Sequence, residues 1–81
     1  MPDVSIVRFD ELRAAQPTDA PLFMAWLDEI SQVIAAHPTV LGRMAAAILV
    51  ADDICKRTGV PLDVCIQSVV REVERAKGVT R

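Results

Sequence analysis

Met44-Ala45-Ala46-Ala47-Ile48-Leu49-Val50-Ala51 is eight apolar residues without interruption, set inside a pattern that is otherwise helical. A surface helix shows one apolar stripe, whereas this segment is apolar nearly all round for two turns, as in a helix covered on several sides. Its ends are well marked. Thr39 is placed to cap the start, Gly59 to stop the end, and Lys56 and Arg57 sit where cations suit the C-terminal dipole. The spacing therefore predicts a central helix over residues 40–58, with the rest of the chain laid against it. Val40, Leu41, Met44, Ala47, Ile48, Ala51, Ile54 and Cys55 are expected on its buried face. Replacing Ile48 with alanine should then cost roughly 2 to 5 kcal/mol.

Two further helices follow from the same signals. Thr18-Asp19-Ala20-Pro21 is a cap followed by a first-turn proline, which loses no amide partner there. The helix it opens runs to about Ala36. Leu22, Phe23, Trp26, Leu27, Ile30, Val33 and Ile34 form its inward face, and Asp28, Glu29, Ser31 and Gln32 the outward one, with Met24 on the polar side. His37-Pro38 ends it. Pro61 opens the last helix, to about Lys77, which turns Leu62, Cys65, Ile66, Val69, Val70, Val73 and Ala76 inward and stops at Gly78.

Residues 1–17 are read as an extended arm followed by a short helix, Asp10–Gln16, ended by Pro17. Val4–Phe9 has the β-branched content of a strand but no partner in a helical chain. A single helix from Ser5 is the rival, since Ile6, Phe9 and Leu12 recur every third residue. The fold class is thus all-α: one domain over residues 1–81, with an N-terminal arm or short extra helix (1–17) and a three-helix core (18–78). The three main helices lie near 19–36, 40–58 and 61–77. Their joints are only two or three residues long, which makes consecutive helices spatial neighbours.

The composition narrows the function. A net charge of −2 and a pI near 5.2 argue against a general nucleic-acid or anionic-membrane binder. No apolar run approaches the roughly 20 residues of a membrane span. No basic segment followed by an apolar one marks a secretion signal, and Cys55 and Cys65 are too few for a disulfide framework, so free thiols and the cytoplasm are the default expectation. Phe9, Phe23 and Trp26 are the only aromatics, which leaves an aliphatic, alanine-rich core that a partner or a second copy could complete.

Groups for catalysis do not converge in the sequence. His37, the sole histidine, sits at a helix end before proline, and neither cysteine belongs to a C-x-x-C pair. Asp28-Glu29 and Asp52-Asp53 are adjacent pairs, and adjacent helical residues diverge by about 100°. There is no glycine-rich phosphate loop and no Gly-x-Ser-x-Gly nucleophile turn. No enzyme, metal or cofactor is therefore expected, and a small enzyme built on His37 and the acids is the weakest reading.

The leading expectation is a non-enzymatic protein–protein interaction module: a small regulator, an assembly adaptor or a stoichiometric inhibitor that also self-associates. Its surface is placed on the central helix, where Leu49 beside Ala45 and Ala46 is the expected exposed remainder. Asp52 and Asp53 would form the polar rim, answered by Arg43 or Lys56 of another chain. In the competing arrangement the N-terminal arm covers that face with Ile6, Phe9 and Leu12. The alternative function is a DNA-binding regulator, because residues 52–70 read as helix, glycine turn, helix. Its reading helix would expose Asp63, Val64, Gln67, Ser68 and Arg71, with a single cation, and a basic patch would have to come from Arg8, Arg13 and Arg43.

Overall fold

The computed structural model describes residues 4–79, and the side chains of 8–78. Four helices are packed together: α1 (Val4–Ala14), α2 (Ala20–Ala35), α3 (Val40–Thr58) and α4 (Leu62–Val79). The last three match the spacing of the sequence, except that α4 runs past Gly78. The N-terminal segment is the first correction. It is one continuous helix rather than an extended arm with a helix starting at Asp10, because a lone strand would leave its backbone amides without partners.

The local chemistry of the ends is as the sequence implies. Asp19 caps α2 by accepting from the Leu22 amide, and Pro21 occupies the first turn. Thr39 caps α3, its hydroxyl accepting from the Gly42 amide at 3.0 Å. Gly59 takes φ = 76°, the left-handed region that lets the chain leave α3, and its amide returns to the Cys55 carbonyl.

Packing reassigns the centre of the molecule. α2 packs substantially on all three other helices, whereas α3 packs mainly on α4; α4 lies along both α2 and α3, and α1 rests on α2. Ile30 and Ile34 of α2 are sealed, and so is Ser31, which the sequence pattern places on the polar side. α1 is fastened by Leu12, buried in the core, by the Trp26 indole N–H donating to the Leu12 carbonyl, and by an Arg8–Glu29 ion pair.

On α3 only Ala47, Val50, Ala51 and Ile54 are buried. Val40, Leu41, Met44 and Ile48 are exposed, contrary to the inward face expected of them, and Cys55 is half-buried. Leu22 of α2 and Leu62 and Val70 of α4 are likewise exposed rather than inward. The radius of gyration, 11.9 Å, matches the roughly 11.7 Å of a compact chain this long, so the open face is not the result of splayed helices. Four helices of this length leave one side of α3 without a neighbour.

Candidate functional site

Successive residues advance about 100° around a helix and 1.5 Å along it. On α3 the buried residues Ala47, Val50, Ala51 and Ile54 centre on one direction, and Ala45 stands nearly opposite it. Ala45 is thus the crest of an outward ridge with Leu41 and Leu49 a turn before and after it. Leu41, in the first turn of α3, is 78% exposed, and Leu49 and Ile48 are 48% and 47% exposed mid-helix, large values for side chains of this kind.

Apolar grooves run along both flanks of the ridge. On one side Phe9 of α1, Val33 and Ile34 of α2, and Gly42, Ala45, Ala46 and Leu49 of α3 enclose about 260 Å³, with His37 at the end. On the other, Val40, Met44 and Ala47 of α3 face Val70 and Val73 of α4 across a shallower space of about 120 Å³, edged by Arg43, Glu74 and Lys77.

His37 belongs to the architecture of the first groove. Its ring lies directly on Gly42, where a Cβ would come within 2.1 Å of the ring. Its Nδ1 accepts from the Thr39 amide at 3.3 Å, and its carbonyl accepts from Arg43 at 2.7 Å. The ring therefore forms part of the α2–α3 corner and closes the groove end.

The residues expected to form an interface separate into two groups. Ala45, Ala46 and Leu49 come together on the ridge and its groove wall. The charged ones are engaged within the chain: Asp52 with Lys56 at 2.9 Å, Asp53 with Arg13 at 3.5 Å, and Arg43 with the His37 carbonyl. The Asp52 carboxylate, hydrogen-bonded to Lys56, holds that amine above its ordinary pKa. Asp53 is thereby turned toward α1. The lid arrangement is partly realised, since Leu12 is buried and Phe9 lines the groove, yet Leu49 stays half exposed. The Ile6 side chain lies outside the described residues.

Sequence reasoning missed Val40, Leu41, Met44 and Ile48, which it placed in the core, and the contribution of Phe9, Val33 and His37 to a groove. The signal was present in the width of the apolar arc, which exceeds what one neighbouring helix covers.

The remaining charged groups do not gather. Asp28 accepts from Gln32 at 3.0 Å and lies 3.6 Å from Arg75, Glu29 pairs with Arg8, and Glu72 pairs with Arg75. Arg8, Arg13 and Arg43 each answer a different group instead of forming a basic patch. Among the described residues, no three His, Cys, Asp or Glu side chains are placed to share a metal ion, and no helix is long and apolar enough to cross a membrane. On α4, Asp63, Val64, Gln67, Ser68 and Arg71 are exposed, with Arg71 the one cation among them. Cys55 and Cys65 are free thiols, and burial, with Cys55 and Asp63 nearby, pushes the Cys65 thiol up.

A third, wider recess of about 690 Å³ lies between the α1–α2 connection and the end of α3, lined by Gln16, Thr18, Phe23, Arg57 and Thr58 among others. Gln16 is buried, and neither amide atom has a hydrogen-bond partner among the described residues. No family model matches the chain, and no curated protein or solved structure is detectably similar to it.

Proposed function

We propose that this chain is a non-enzymatic protein-docking module, acting as a small regulator, adaptor or inhibitor through the outer face of α3. One observation carries the reading: four large apolar side chains, Leu41, Met44, Ile48 and Leu49, stand exposed on consecutive turns of α3, on or beside a ridge flanked by two apolar grooves. Scattered exposed apolar residues are ordinary, but a contiguous patch of this kind marks a surface that another protein covers. A ridge with a groove on each flank suits an amphipathic helix laid alongside it, whose anchors would enter at i, i+3 and i+4 spacing. Two free thiols suit a reducing compartment such as the cytoplasm.

The test is site-specific photo-cross-linking in the native host. A benzophenone side chain at position 48 should give a discrete adduct that disappears in Leu41→Glu, whereas the same group at position 67, on α4, should not. Equal labelling from positions 48 and 67 would refute the docking role of α3.

A further inference from the structure

We infer that the recess between the α1–α2 connection and the end of α3 binds a small aromatic monocarboxylate that also carries a hydroxyl or amino donor. The inference goes beyond the docking reading and does not depend on it: Arg57, on the recess wall, lies about 18 Å along α3 from Ala45. Local sequence builds this end of the molecule. Pro17 keeps α1 from running on, and the Asp19 cap starts α2 two residues later. The short connection sets Gln16 and Thr18 around one recess with Phe23, in the first turns of α2, and with Arg57 and Thr58. Size separates this recess from the grooves beside α3. Small-molecule sites enclose roughly 300 to 1,000 Å³. The recess holds about 690 Å³, and the two grooves about 260 and 120 Å³.

Gln16 is the unusual member of the wall. It is 8% exposed, and its amide nitrogen and oxygen are both buried with no hydrogen-bond partner among the described residues. Native structures pair nearly all such groups, because each one left over lowers stability. A buried polar group that breaks this rule is expected where function needs it. The amide is shut off from water where it lies, but it has no bond to break. Turning it about the side-chain torsions into the recess that Gln16 lines costs only a change of rotamer, and it gains the hydrogen bonds it lacks.

The available groups select the ligand. Arg57 is the one charged residue lining the recess, and its exposed guanidinium makes no ion pair among the described residues. Thr58 is committed by contrast, donating to the Ile54 carbonyl at 2.7 Å and accepting from the Val60 amide at 3.3 Å. A single guanidinium fork matches one carboxylate, two N–H groups to two oxygens, whereas a dianionic phosphate would leave a charge unanswered. Gln16 brings a donor and an acceptor together. Its carbonyl calls for a ligand N–H or O–H, so the carboxylate must carry a donor of its own. Pro17, Ala20 and Phe23 supply the apolar remainder, and Trp26 steadies Phe23, their ring centroids 5.5 Å apart. That wall suits an aromatic ring.

The ortho, meta and para isomers of hydroxybenzoate are the probes, with benzoate as the control that lacks a donor. Each is titrated into isotope-labelled protein and followed by amide NMR. At least one isomer should give saturable shifts confined to residues 16–23 and 57–58 and to the Gln16 side-chain amide. Its Kd should be on the order of 1 mM, ordinary for a ligand of about ten heavy atoms, and benzoate should bind more weakly. Arg57→Gln, at an exposed position, should weaken binding roughly tenfold or more by removing a charge-assisted hydrogen bond. Gln16→Met should erase the preference over benzoate while raising the urea midpoint of the ligand-free protein, so that lost affinity is not lost folding. The absence of saturable shifts with every isomer up to about 20 mM, shifts centred on the α3 ridge or scattered over the surface, benzoate binding as tightly as every isomer, or affinity unaltered in either variant each overturns the site.

Discussion

Ile48 and Val50 lie two residues apart on α3 and on opposite sides of it, so alanine at each reads out how the helix is rotated. Val50 is fully buried. Removing its two methyl groups costs about 1.6 kcal/mol in transfer alone, at about 0.8 per carbon, and the cavity left behind raises this to about 2 to 3 kcal/mol. Ile48→Ala removes three carbons, about 2.4 kcal/mol if they were sealed. At 47% exposure roughly half of that applies, and alanine's better helix propensity returns a few tenths. The net loss is about 1 kcal/mol or less, well below the 2 to 5 that the sequence pattern suggests for this position. With a urea slope near 1 kcal/mol/M for so small a domain, Val50→Ala should lower the midpoint by about 2 to 3 M and Ile48→Ala by under about 1 M. Fluorescence of the buried Trp26 reports the transition. Protein at about 1 µM keeps self-association from adding its own stabilisation by mass action. A loss at Ile48 larger than that at Val50 would mean that α3 presents the opposite face to the core, and a loss merely equal to it would already rule out an exposed ridge at Ile48.

Gln16→Met should raise stability by about 1 to 3 kcal/mol in urea unfolding, since it removes a buried amide that has no hydrogen-bond partner among the described residues, at similar volume; destabilisation would show that a further group or a water satisfies Gln16. Gly59→Ala should cost about 1 to 2 kcal/mol, because φ = 76° strains any L side chain although the space around it is open; an unchanged midpoint would refute the left-handed stop. Cys65 should react with a disulfide reagent far more slowly than Cys55. Because the folded-state pKa of Cys65 lies above its unfolded value, its contribution to stability is present below the ordinary thiol range and is lost as pH rises through the folded value. Cys65→Ala should therefore flatten the alkaline fall in stability, and an unaltered slope would count against the burial of this thiol. No sequence-specific duplex binding is expected at physiological salt; a motif enriched from random duplexes and lost with Arg71→Ala would establish the DNA-binding alternative.

The sequence by itself determined the all-α class and the helices from Asp19 onward. Their signals are local: a side chain capping its own helix at Asp19 and Thr39, a proline in the first turn at Pro21, a left-handed glycine at Gly59. It also singled out Leu49, beside Ala45, as exposed, because an arc that wide outruns one neighbour, although Ala46 is half-buried against the core. What it could not determine was which part of an apolar circumference receives the neighbours. Met44, Ile48, Ala47 and Ala51 have much the same claim to burial by composition, and only the seating of α4 decides that Ala47 and Ala51 are covered while Met44 and Ile48 are not. The same long-range choice packs α2 on all three other helices, buries Ser31 and docks α1 on α2 through the Trp26 indole. Burial is a property of pairs of elements, and its direction around a helix is fixed only when the partner helix arrives.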